Sequence, residues 1–154
     1  MAIVYDNRVR LELTMSVKLL VIDDDSAVTD LLSLLLKSNG FEVAATNNST
    51  EGLGIIRDIS PDVVILDLMM PEMDGWQICK AVREFSQVPI IILSALNDPS
   101  MIASVLDAGA DDYLTKPTPS RVLIAHINRL INRTGSLNSS TSLNDPFTRP
   151  LPAS

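Results

Sequence analysis

The sequence predicts one α/β domain, a doubly wound, five-stranded parallel sheet with five helices covering both of its faces. Three observations carry that prediction. Short apolar or β-branched runs alternate along the chain with segments whose apolar residues recur at helical spacing, and parallel strands need such crossover connections, which are right-handed. The run Val63-Val64-Ile65-Leu66 is apolar at every position, as a central strand covered on both faces must be. The 154 residues are 46% hydrophobic and 20% charged, which suits one globular domain with a sizeable core and not a disordered or fibrous chain.

Residues 1 to 16 stand apart as an N-terminal extension. They open with neither a basic n-region nor a long apolar h-region, so they do not read as a signal peptide, and Met15 begins a segment, MSVKLLVIDDD, that resembles an ordinary start. The extension is either a stretch upstream of the true start or a short extra strand. The domain is expected over residues 17 to 134. Its strands are Lys18 to Ile22, Phe41 to Thr46, Val63 to Asp67, Ile90 to Ser94 and Tyr113 to Thr115. Its helices are Ala27 to Ser38, Thr50 to Asp58, Trp76 to Phe85, Pro99 to Ala108 and Ser120 to Arg133, the last with Leu123, Ile127, Leu130 and Ile131 along one face. Gly40 and Gly109 fit the stops of the first and fourth helices, and Gly75 fits a tight turn before the third. Residues 135 to 154, rich in Ser, Thr and Asn and then broken by Pro146, Pro150 and Pro152, are expected to form a flexible tail.

Composition excludes several functions. The net charge of -7 argues against direct nucleic-acid binding, which shows as a basic surplus because phosphate contacts dominate affinity. Residues 1 to 15 hold two acids and two bases and residues 135 to 154 one of each, so the acidic surplus belongs to the domain. The longest apolar runs, such as Leu19 to Ile22, fall far short of the roughly 20 residues of a membrane span. Cys79 is the only cysteine and His126 the only histidine, too few for a disulfide or a zinc site, so Cys79 reads as a small buried apolar side chain and the cytoplasm as the natural compartment.

The chemistry lies at the strand ends. Ligands of such sheets bind beyond the carboxyl ends of the strands, at the point where strand order reverses. The first strand runs into Asp23-Asp24-Asp25 and the third ends in Asp67, and topology makes these two strands neighbours, so three or four carboxylates converge. Helix capping accounts for Asp25 or Ser26 and leaves Asp67 unexplained. Like charges so placed call for a hard divalent cation with oxygen ligands, Mg²⁺ foremost. The fourth strand ends in Ser94 and the fifth is followed by Lys116. A carboxylate nucleophile, a metal, a lysine and a hydroxyl together suit phosphoryl chemistry.

The segments LLVIDDD, DVVILDLMMPEMDG, PIIILSA and GADDYLTKP, in that order over Val17 to Arg133, resemble the receiver domains of two-component response regulators. The resemblance implies the flavodoxin-like (CheY-like) fold with strand order 2-1-3-4-5. It implies that Asp67 is the phosphoacceptor, that Asp23, Asp24, Asp67 and the backbone carbonyl of Met69 bind Mg²⁺, that Ser94 and Lys116 contact the phosphoryl group, and that Ser94 and Tyr113 form the switch. Its implied partners are a histidine kinase or phosphotransfer protein and an output protein read at the face of the fourth helix, fifth strand and fifth helix. No output domain fits in the remaining tail, so the expectation is a stand-alone switch that catalyses only its own phosphorylation and dephosphorylation.

Two departures from the family pattern stand out. Thr118-Pro119 follows Lys116-Pro117 where Phe is usual, so the last helix is free to start differently. GADDYLTKP is most similar to receivers that carry a winged-helix DNA-binding domain and dimerise through charged pairs, yet Ile102, Val122 and His126 stand at matching positions. That weakens the salt-bridged dimer and leaves an apolar, phosphorylation-dependent homodimer as the alternative. Two rival functions remain: a shortened DNA-binding regulator, and a Mg²⁺-dependent phosphohydrolase, which typically needs an acid where Met69 stands.

Overall fold

Leu19 to Ile22 and Val63 to Leu66 are all but sealed from solvent, and they lie side by side in parallel, Leu19 opposite Val63 and Ile22 opposite Leu66. Around this pair the computed structural model, which describes residues 16–139, builds ten elements. They are β1 (Lys18–Ile22), α1 (Ser26–Ser38), β2 (Glu42–Thr46), α2 (Ser49–Ile59), β3 (Val63–Leu66), α3 (Gly75–Arg83), β4 (Ile90–Ser94), α4 (Pro99–Asp107), β5 (Asp112–Thr115) and α5 (Ser120–Ser139). All four pairings are parallel and the sheet order is β2-β1-β3-β4-β5, as expected.

The two-residue period of the strands divides the core into two layers. Leu20, Ile22, Val64, Leu66, Ile90 and Ile92 face Ile56 of α2, Ile78 and Val82 of α3 and Val105 of α4. Their neighbours Leu19, Val21, Val63, Ile65, Ile91 and Leu93 face Leu36 of α1 and Leu123, Ile127 and Leu130 of α5. Each such side chain contributes about 1.5–3 kcal/mol on full burial, which is why the buried positions of the three central strands are apolar up to Ser94 at the end of β4. Cys79 belongs to the first layer, and burial pushes its thiol up to about 12, so it is inert apolar filling. Among the described residues, no helix is long and apolar enough to cross a membrane.

Helix starts are set by caps. Asp25, Asn48, Asp74 and Asp98 each accept a hydrogen bond from a backbone amide of the first turn, and Asp74 forms a reciprocal box with Gln77. These caps move the first three helices one residue earlier than the apolar pattern alone suggests. At the other end of the molecule Arg83 acts as a brace. Its guanidinium donates to the carbonyls of Gly109, Ser86 and Val88 and to Asp111, whose carboxylate also accepts from the Ile90 amide at 2.8 Å. Gly109, at φ 118°, ends α4 as expected, and a Cβ there would lie 2.8 Å from Arg83 Cγ.

Several boundaries need correction: β2 begins at Glu42 rather than Phe41, α2 runs on to Ile59, α3 stops at Arg83 rather than Phe85 and α4 at Asp107 rather than Ala108. Asp67 lies just past β3 rather than in it, and β5 begins one residue earlier, at Asp112. The last helix does start at Ser120 despite Thr118-Pro119, with the Pro119 carbonyl accepting from Val122 and Leu123, but it runs past Arg133 to Ser139. Residues 135 to 139 are therefore helix and not tail. Thr134 satisfies its hydroxyl on the Leu130 carbonyl at 2.6 Å, a bond the helix accommodates, so polarity there was no stop signal. The readings made for residues 1–15 and 140–154 lie outside the described residues.

Gly75 is required for a reason other than turn conformation. A Cβ on it would lie 2.7 Å from the Asp67 carbonyl oxygen and 2.8 Å from Leu68 Cα, whereas one on Gly54 in α2 would meet nothing within 4 Å. Gly54→Ala should raise stability by about 0.4–1 kcal/mol. Gly75→Ala should lower it by about 1–3 kcal/mol by forcing α3 away from the acidic loop. Urea unfolding of the two variants gives the signs, and a Gly75→Ala protein as stable as Gly54→Ala would show that this close approach constrains nothing.

Candidate functional site

The β1–β3 ladder continues one step past both strands, with the Asp67 amide donating to the Ile22 carbonyl at 2.9 Å. Asp23 and Asp67 thereby emerge side by side. One carboxylate oxygen from each of Asp23, Asp24 and Asp67 lies within 4.8 Å of the others, with Asp23 and Asp67 buried and Asp24 exposed. Three hard oxygen donors of like charge on one side of an open cleft fit a divalent cation of the Mg²⁺ or Ca²⁺ kind. The fourth acid of the sequence cluster, Asp25, is turned away to cap α1.

Lys116 closes the cluster. Its ammonium is 2.6 Å from Asp23 and 3.9 Å from Asp67, so it is bonded to the first and only near the second. Asp23 Oδ1 accepts from the Asp25 amide at 3.0 Å, leaving Oδ2 to the lysine. Ser94 is buried at the end of β4, and its hydroxyl accepts from the Leu96 amide at 3.3 Å. The Leu96 carbonyl accepts in turn from the Tyr113 hydroxyl at 2.5 Å, which holds the half-buried ring inward. Met69 stands 60% exposed beside the acids. With Leu68, Met70, Leu96 and Met101 it walls an apolar groove of about 440 Å³.

This arrangement has known counterparts. A family model for the response regulator receiver domain matches residues 19–128. The chain belongs to the response regulator receiver family. It is 38% identical over 120 residues to the DNA-binding response regulator MtrA of Mycobacterium tuberculosis, covering 78% of this chain and 53% of that protein. To the transcriptional regulatory protein AfsQ1 of Streptomyces coelicolor it is 41% identical over 115 residues, covering 75% and 51% respectively. The chain thus spans about half the length of the curated relatives it matches. Among solved structures, a response regulator receiver domain protein from Clostridium thermocellum superposes with a TM-score of 0.75 at 36% identity, over 79% of this chain and 98% of that one. The receiver domain of Francisella response regulator 1452 gives 0.73 at 36% identity, over 77% and 99%.

Within the receiver, two supporting groups escaped the sequence reading. Asn47 donates from one side-chain amide to the Asp23 carbonyl at 2.8 Å and to Thr29 Oγ1 at 3.0 Å, fixing the acidic turn to α1. The Leu96 carbonyl is a backbone acceptor, and no residue type could have signalled it. The one legible sign of Asn47 was its place just past β2, at the same sheet edge as the acids.

Burial first, and then the neighbouring Asp23 carboxylate, hold the Asp67 carboxyl above its usual 3.8, against the opposing pull of Lys116 and of backbone hydrogen bonds from Met69 and Leu68. A raised pKa means that the folded receiver resists ionising Asp67. The contribution of this group to stability is present in full below 3.8 and is lost as pH rises through the raised value. In chelator, Asp67→Asn should therefore melt above wild type at neutral pH, and its advantage should shrink as pH falls toward the ordinary carboxylate range. Thermal melts from pH 7 downward check this. A variant that melts lower than wild type at pH 7 would show that Lys116 outweighs burial and Asp23.

Proposed function

We propose that this receiver is a phosphorylation switch of a two-component or phosphorelay system in which Asp67 accepts a phosphoryl group from a histidine kinase or phosphotransfer protein. The observation that carries this is the convergence of Asp23, Asp24 and Asp67 at one point with Lys116 reaching in from β5. The donor set fits Mg²⁺, held by the three carboxylates together with the Met69 carbonyl, and the bound ion would supply charge neutralisation for an incoming phosphoryl group. The residues of this chain do the rest. The Asp67 carboxylate attacks phosphorus in line as the donor's P–N bond breaks and its imidazole leaves, and Lys116, 3.9 Å from Asp67, would neutralise one phosphoryl oxygen. The Ser94 hydroxyl hydrogen-bonds a second. Self-phosphorylation and self-dephosphorylation are then the only reactions the domain catalyses. On α1, next to the acids, Leu31 and Leu34 are 63% and 71% exposed and offer an apolar ridge to a helix of the phosphodonor.

Output is read at the face formed by α4, β5 and α5. Val122 is 40% exposed there and Ile102 half-buried, while the Asp112 carboxylate is occupied within the chain by Arg129 at 2.7 Å and by the His126 ring. This favours apolar contact, with a partner or a second copy, over a salt-bridged dimer. The length of the relatives supports a second reading of the output, in which the receiver controls a DNA-binding half, and a longer reading frame at its locus would decide between them. The receiver itself carries the acidic surplus and is not proposed to touch DNA.

Acetyl phosphate should label the protein only with Mg²⁺ or Mn²⁺ present, because the acids repel an anionic donor until a cation is bound. Asp67→Asn should abolish the label and Asp24→Ala should raise the metal concentration required. Labelling of Asp67→Asn at the wild-type rate would refute the assignment.

The lifetime of the phosphoryl group is set where water approaches. Met69, two residues after Asp67, and Leu96, two residues after Ser94, line one groove and are taken to flank that approach, and neither side chain can orient or activate water. Slow self-dephosphorylation is expected. Met69→Asn with Leu96→Glu should lower the barrier by about 1.4 kcal/mol or more, a tenfold rate effect. Phosphate release from purified phosphoprotein after donor removal measures it, and an unchanged rate would mean that these side chains do not govern access.

A further inference from the structure

All four methionines of the described residues sit at one corner of the molecule: Met69, Met70 and Met73 in the loop after β3, and Met101 at the start of α4. They are not equivalent. Met70 and Met73 pack against the core layer formed with α2, α3 and α4. Met101 is 40% exposed, and Met69, at 60%, is the most open of the four. Met69 is also two residues from Asp67 and shares the groove wall with Leu96, whose carbonyl anchors Tyr113. An exposed thioether is the most readily oxidised of apolar side chains, and its sulfoxide exchanges a weak acceptor for a strong, fixed dipole.

We propose that Met69 is a reversible oxidation site for peroxides, and that its sulfoxide shortens the lifetime of the phosphorylated state. The second part rests on the assignment of Asp67 as phosphoacceptor. In the chemical step a sulfur lone pair attacks one oxygen of hydrogen peroxide, the S–O bond forms as the O–O bond breaks, and the displaced hydroxide takes up the proton of the transferred oxygen and leaves as water. Sulfur is oxidised by two electrons and the peroxide is reduced. A thiol-dependent methionine sulfoxide reductase reverses the change. The product places an S=O acceptor two residues from Asp67, in the groove lined also by Leu96, where it can hold a water by one hydrogen bond. The Met69 backbone carbonyl and the three carboxylates are untouched, so metal binding persists.

The test begins without phosphorylation. The intact protein is treated with hydrogen peroxide for increasing times and its methionines are followed by peptide mass spectrometry. Met69 should oxidise before Met101, with Met70 and Met73 last. Treated and untreated protein are then labelled with acetyl phosphate and Mg²⁺, the donor is removed, and phosphate release is followed. Release should be about threefold faster or more after treatment. Incubation with the reductase should restore the slow rate, and Met69→Leu should be insensitive to peroxide. Oxidation of Met70 or Met73 ahead of Met69 would overturn the site. Unchanged release, or equal acceleration in Met69→Leu, would overturn the lifetime effect. An untreated protein that takes no label would overturn the phosphoacceptor assignment and the lifetime effect with it, while the peptide map still decides the modification site.

Discussion

The parallel pairing of β1 with β3 is the constraint on which the acidic end depends. It places Ile22 opposite Leu66 and carries the ladder on to the Asp67 amide, so the next side chains to emerge, from Asp23 and Asp67, are both carboxylates at the same sheet edge. Left alone they would repel. Burial of all four β3 residues in two different packed layers keeps the register from relaxing, since a slip of one residue would exchange side chains between layers of different shape. Local bonds reduce the remaining cost. Asp23 takes a backbone amide on one oxygen and the Lys116 ammonium on the other. Asp67 has the lysine only at 3.9 Å and stays reluctant to ionise. The two carboxylates are thus held unequally, Asp23 by an amide and the ammonium, Asp67 by the backbone amides of Met69 and Leu68 with the lysine farther off.

The fold was legible wherever its cause was periodic. Central strands read directly from four or five consecutive apolar residues, and the order of the sheet placed Asp23, Asp24, Asp67, Ser94 and Lys116 at one edge. Caps were legible only in part: Asp25 was read as one, but Asn48, Asp74 and Asp98 each lie just before an apolar pattern that begins a residue or two later. The end of α5 was misread because Ser, Thr and Gly after Arg133 suggest a loop, and nothing in a single sequence says that a helix already anchored by Leu123, Ile127 and Leu130 will carry them along. Gly75 was read correctly as structural and for an incomplete reason, since what excludes a side chain there is the backbone of Asp67 and Leu68, distant in sequence from the turn pattern.

The two ends of the sheet are held by different means. At the amino ends of β4 and β5, Arg83 and Asp111 bind backbone carbonyls and an amide directly, tying the end of α3 to both strands. Such bonds to partly buried main chain do not exchange partners without unfolding something. At the carboxyl ends the connections are side chain to side chain, or run through loop backbone, and Met69, Asp24 and Leu34 are exposed around them. Freedom to rearrange therefore resides where the acids are. A rigid base with a loosely held rim is what a site needs if its occupancy is to change shape without costing the fold.

How a change at Asp67 reaches the outer face can be argued from two bonds. Ser94 Oγ accepts from the Leu96 amide, and the Leu96 carbonyl accepts from Tyr113, so one residue ties the hydroxyl at the end of β4 to the aromatic ring on β5. If Ser94 turns to donate to a phosphoryl oxygen, its bond to the Leu96 amide at 3.3 Å is the weaker of the two and is the one to yield. Leu96 then either stays with Tyr113 and keeps the ring inward, or moves and releases it. The ring is held by a single hydrogen bond to a loop carbonyl, so on the proposed reading phosphorylation acts on the balance between this bonded arrangement and others. A ligand shifts such a balance only by the difference in its affinity for the two states. The Ser94 hydroxyl supplies that difference, because it is the one group that contacts both the Leu96 backbone and, on that reading, the phosphoryl group.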